Sequence, residues 1–115
     1  LVQRRKYLRV KKICPVEIVE IATGRKIDSD LIDVSASGLA VLCSSVIEAG
    51  TEVELGFKLS PLLIFEKIRA KTVRTDHSSG NFRISIAMSE LTSEQKNLID
   101  KFVTDRRRQE RTGLL

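Results

Sequence analysis

Two short stretches of this 115-residue chain carry side chains able to do chemistry at a defined spacing. The first is RRKYLR at positions 4–9, where Arg5 and Arg9 stand as R-x-x-x-R with Arg4 and Lys6 beside them. Arginine presents a planar fork of donors that fits a phosphate, or the O6/N7 edge of guanine, in bidentate fashion. Two arginines on one short segment can therefore grip a compact anion from two sides. Arg107 and Arg111 repeat the spacing near the C-terminus, where a solvated helix face accounts for it. The second stretch is DVSASG at positions 33–38, a D-x-S-x-x-G of Asp33, Ser35 and Gly38. A carboxylate can accept from the N1–H and N2–H₂ edge of guanine, a hydroxyl donates or accepts, and glycine permits close approach. The same residues also suit a plain turn: Asp and Ser cap it, and Gly takes backbone conformations that others avoid.

Catalytic arrangements find little support. His77 is the one histidine and lies in the polar turn DHSSGN, which leaves no zinc site and no histidine-based triad. Glu52 and Glu54 fall on the polar face of an alternating strand and read as solvated. No phosphate loop of the dinucleotide or P-loop type is present. Cys14 and Cys43 sit in apolar strand-like segments without ligand spacing, as buried free thiols of a reducing compartment do. The expectation is a non-enzymatic, cytoplasmic protein with no cofactor and no metal.

Charge sharpens this. The net +5 resides in the ends: residues 1–12 hold six basic side chains and no acid, whereas 13–100 hold nine basic against thirteen acidic ones. A mildly negative body with a basic terminal segment suits local anion capture better than a basic surface spread over the fold. No apolar run approaches the ~18 residues of a membrane span, and no signal-peptide pattern follows the basic start. The chain begins at Leu1 rather than methionine, as a fragment or a processed chain would.

Elements that must position these groups follow from periodicity. TEVELGFKL sets Val53, Leu55, Phe57 and Leu59 on one face and Glu52, Glu54 and Lys58 on the other, and NFRISIAM alternates likewise. Six strands are predicted, about 14–22, 26–33, 38–44, 51–59, 65–76 and 81–89. The phase slips at Ile18-Val19 and between Ala70 and Val73, as bulges in a small barrel would require. LAVLC is continuously apolar and is expected to be buried on both faces. Thr92 followed by Gln95 forms a capping box, and Leu98, Ile99, Phe102 and Val103 make an apolar stripe, so a helix is expected over about 93–108. The parts are a basic segment (1–12), a β body (13–91) and a C-terminal helix with its tail (92–115).

In this order, RKYLR (5–9) and DVSASG (33–38) together resemble the signature of the PilZ domain family. The strand after Gly50, the A-x-x-V-R of Ala70, Val73 and Arg74, and the final hairpin before a Leu/Ile/Phe helix follow the same course. A departure is Ser85 and Met88, where the family often carries glycine and phenylalanine. The resemblance implies an all-β fold, a six-stranded antiparallel β-barrel with a C-terminal helix. It also implies a bacterial receptor for the second messenger cyclic di-GMP. Arg5 and Arg9 would contact phosphates and guanine edges, Asp33, Ser35 and Gly38 would hold a guanine, and Arg4 would add a contact. The signal would pass to a protein partner or attached domain. Two other classes stay open: an interaction module of the same fold without ligand, and a small nucleic-acid-binding barrel. Against the latter stand only five aromatics and no tryptophan.

Overall fold

Alternating apolar residues assemble into six antiparallel strands in the computed structural model of the chain, which describes residues 12–111. They are β1 (Cys14–Glu20), β2 (Lys26–Val34), β3 (Gly38–Cys43), β4 (Glu52–Ser60), β5 (Leu63–Ser78) and β6 (Asn81–Ala87), followed by helix α1 (Ser93–Arg111). The strands close in the order β1-β2-β3-β6-β5-β4, so no edge is left unpaired. Closure depends on the long β5. Its first half pairs with β4 and its second with β6, and Lys71 stands opposite both Glu52 and Ala87. The inward residues, among them Val16, Ile18, Leu31, Val41, Val53, Leu55, Ile84 and Ile86, form one core.

Bulges appear in three ladders: β2–β3 between Leu31 and Asp33, β4–β5 at two places, and β5–β6 between Thr72 and Arg74. The slip expected near Val73 is therefore present. The one expected at Ile18-Val19 is not: β1 pairs without interruption on both sides, and Val19 is a half-buried residue on the outer face. In β3, Leu39, Val41 and Cys43 point inward, and Ala40 is buried too, but Leu42 is only half-buried. Burial on both faces thus fails at that one position, where the outer side of the barrel is uncovered.

Turns follow local chemistry. Ser79 (φ 49°) and Gly80 (φ 85°) link β5 to β6 with Ser78 opposite Asn81, a two-residue hairpin whose positive φ values match the strand twist. The capping box forms as expected: the Gln95 amide donates to Thr92 Oγ1 at 3.1 Å, and the Thr92 amide donates to Gln95 Oε1 at 2.9 Å. Helix α1 runs past 108 to Arg111. Ile99 is fully buried, and Phe102 and Val103 pack against the core, whereas Leu98 lies at the edge of the stripe, 38% exposed. Thr92→Ala is expected to cost about 1 kcal/mol, lowering the melting temperature by roughly 4–8 °C in a scanning-calorimetry comparison.

Candidate functional site

The D-x-S-x-x-G stretch occupies the end of β2, the turn and the first residue of β3. Strict alternation would send Asp33 inward with Ile27, Ser29 and Leu31, all buried. The bulge at Ile32 prevents this, because two residues of β2 then face one of β3: Leu31 pairs with Val41, but Asp33 pairs with Ala40. Phase inverts, Val34 enters the core, and the Asp33 carboxylate emerges on the outer surface. There it has no hydrogen-bond or ion-pair partner among the described residues.

Beyond it the turn is held by its own polar groups. The Ser35 amide donates to the Gly38 carbonyl at 2.8 Å. Ser35 Oγ donates to that carbonyl at 3.3 Å, lies 3.2 Å from Ser37 Oγ, and accepts from the Ser37 amide at 3.4 Å. The Met88 amide donates to the Ser37 carbonyl at 2.9 Å, which ties the turn to the segment leading into α1. Gly38 is required for a different reason from the one its turn position suggests. Positive φ occurs at Gly24, Gly50 and Gly80, not at Gly38. A Cβ at Gly38 would instead lie 2.5 Å from the Ile86 carbonyl oxygen of β6. Close approach of two strands, not an unusual backbone angle, selects glycine.

Asp33, Ser35 and Gly38 line one shallow depression of about 320 Å³, shared with Ser37, Ala40, Val73, Arg83 and Ser85. Ala40 and Ser85, paired across β3 and β6, put small side chains where the hollow lies. Its far wall comes from β5, where the bulge between Thr72 and Arg74 lifts Val73 out of the barrel to 58% exposure. Arg83 carries no motif, and although Val73 and Ser85 figure in the family resemblance, neither was expected beside Asp33.

Arg4, Arg5 and Arg9 lie outside the described residues. The Ile13 amide donates to the Leu31 carbonyl at 2.7 Å, extending β1 upstream along β2. Lys12 Nζ meets Asp30 Oδ2 at 3.3 Å.

Other polar groups among the described residues lie apart from this hollow. A larger groove of about 900 Å³ runs past Glu17, Asp28, Lys58 and Phe65 and contains neither motif. Burial pushes the Cys14 and Cys43 thiols above their ordinary values, which opposes thiolate formation. His77 is exposed, its ring packed edge-to-face with that of Phe82, 4.7 Å between centroids. Among the described residues no group of three or more His, Cys, Asp or Glu is placed to hold a metal. No helix there is long and apolar enough to cross a membrane.

A barrel of this topology, with this turn on its outer surface, matches a known family. Residues 3–105 match the PilZ domain, and the chain belongs to that family. Among solved structures it is similar to the crystal structure of YcgR in complex with c-di-GMP from Escherichia coli, with 13% identity and a TM-score of 0.74. That match covers 88% of this chain but 44% of the YcgR chain, so this chain spans less than half the length of that protein. It is also similar to the PilZ domain of YcgR with c-di-GMP from Escherichia coli, with 11% identity, a TM-score of 0.63 and 89% of each chain covered. No curated protein sequence matches it significantly.

Proposed function

We propose that this chain binds cyclic di-GMP without transforming it. A guanine is held at the Asp33–Ser35–Gly38 turn, and Arg5 and Arg9, with Arg4 adding a contact, close over the phosphates. The observation that carries this reading is Asp33 itself. A surface carboxylate turned outward by a bulge, without a partner and at the rim of a hollow, is an acceptor set out for a ligand. Family membership and the two similar c-di-GMP complexes support the choice of ligand. The charge of residues 1–12, six basic side chains and no acid, supports the second jaw. Transmission to a protein partner or attached domain has a physical route. The Ser37 carbonyl is hydrogen-bonded to Met88, whose side chain is buried in the core shared with Ile99 of α1. A ligand that reorganises the turn therefore pulls on the segment that enters the helix. Work in a bacterial cytoplasm fits such a role.

Base selectivity tests it. Asp33 accepts from the guanine N1–H and N2–H₂ edge, whereas adenine turns an acceptor, N1, toward the carboxylate and leaves it desolvated and unpaired. Calorimetric titration of wild type and Asp33→Ala with cyclic di-GMP and cyclic di-AMP should show much weaker adenine binding by the wild type. The variant should lose affinity for the guanine ligand and show a smaller difference between the two. Equal wild-type affinities would reduce the site to an anion trap. Absence of heat with either ligand would leave a ligand-free interaction module of the same fold.

A further inference from the structure

The hollow's lining has one charged side chain besides Asp33, and the motifs did not point to it. Arg83 on β6 lines the same depression and is half-buried. Its cross-strand neighbour in β5 is Asp76, the natural partner for a guanidinium at that position. Asp76 is already taken: Arg74 Nε meets its Oδ2 at 2.9 Å. On the other side Arg83 faces Leu42, which offers no charge. Among the described residues Arg83 therefore has no ion pair and no side-chain hydrogen bond. The hollow thus presents one unpartnered carboxylate and one unpartnered guanidinium.

These two form no ion pair with each other. Asp33 is opposite Ala40 and Ala40 opposite Ser85, so Asp33 and Ser85 are two strand spacings apart, about 10 Å. Arg83 is two residues farther along β6. A group placed between them must offer donors on one side and acceptors on the other. Guanine does: N1–H and N2–H₂ donate, while O6 and N7 accept, and arginine is the usual bidentate partner of O6/N7. Val73, raised by its bulge, closes the β5 side with an apolar surface.

We infer that Arg83 donates to the O6/N7 edge of the guanine whose N1–H and N2–H₂ edge is held by Asp33, and so is a specificity-determining residue of this site. The inference rests on the cyclic di-GMP reading above and extends it to a residue outside both motifs. Adenine keeps N7 but presents the N6–H₂ donor in place of O6, so Arg83 would face a donor there.

Wild type, Arg83→Ala and Arg83→Lys are titrated calorimetrically with cyclic di-GMP and cyclic di-AMP, with thermal melts to verify folding. Arg83→Ala is expected to lower cyclic di-GMP affinity about tenfold or more while leaving cyclic di-AMP affinity unchanged, and Arg83→Lys to recover it only in part. In the wild type, the Arg83 Nε–H resonance is expected to shift with cyclic di-GMP and stay in place with cyclic di-AMP. That measurement is independent of the variants' folding. Equal loss for both ligands would place Arg83 on a phosphate and overturn the inference. No loss, with an unmoved resonance, would overturn it and leave Asp33 as the sole base reader. Failure of the wild type to bind cyclic di-GMP at all would overturn the parent reading and this one together.

Discussion

Arg5→Ala and Arg9→Ala are each expected to weaken cyclic di-GMP binding roughly ten- to a hundredfold. A charge-assisted, bidentate contact is worth about 1.5–3 kcal/mol, and each 1.4 kcal/mol is a factor of ten. Lysine at either position should restore only part of the loss, because a point charge lacks the planar fork. Arg107→Ala is the control. Arg107 is exposed on α1 within the accidental second R-x-x-x-R, and its removal should leave affinity unchanged. Saturating ligand should also slow amide exchange in residues 3–12. If Arg107→Ala weakens binding as much as the N-terminal variants, attraction is general electrostatics and the motif assignment is wrong.

Gly38→Ala is expected to damage the fold and the site together. The added Cβ would sit 2.5 Å from a backbone carbonyl, Ile86 O, and that atom belongs to the β3–β6 ladder. It cannot rotate aside as the tip of a side chain would, so one strand must shift. Overpacking of this kind costs about 1–3 kcal/mol, a sizeable fraction of the stability of a domain this size. Urea denaturation should show a lower midpoint with an unchanged slope. Binding should fall as well, because the Gly38 carbonyl accepts from both the amide and hydroxyl of Ser35. Ser35→Ala separates the two effects: it removes an exposed hydroxyl whose turn contacts are long, 3.2–3.4 Å, so the stability loss should stay well below that of Gly38→Ala while affinity drops. Wild-type stability in Gly38→Ala would show that the barrel widens at little cost, and that the glycine serves the ligand alone.

Much of the architecture was legible because it depends on neighbours in the chain. TEVELGFKL alternates, and Val53, Leu55, Phe57 and Leu59 are all buried in β4. Thr92 and Gln95 are three residues apart, and their reciprocal bonds need nothing beyond the first helical turn. The residue types of D-x-S-x-x-G, and their place in a turn between two strands, were equally local. Even the phase slip near Val73 showed in the apolar pattern.

What tertiary structure alone decided is where those residues face. Alternation predicts inward or outward only while a strand and its partner advance in step. Whether the count slips depends on the partner strand, which the local pattern does not encode. Ile18-Val19 looked like a slip, yet β1 runs straight because both its partners keep register. DLIDV carries the same kind of adjacent apolar pair, Leu31-Ile32, and there a bulge does form, carrying Asp33 from the core side to solvent. Gly38 was recognised as necessary, but the Ile86 carbonyl that makes it so is 48 residues away in the chain. The hollow's far wall is of the same kind. Val73 is exposed by a bulge against β6, and Arg83 is free because Arg74 claims Asp76. Composition and spacing determine which chemistry the chain can do, and strand registration across the closed barrel determines which of those groups meet.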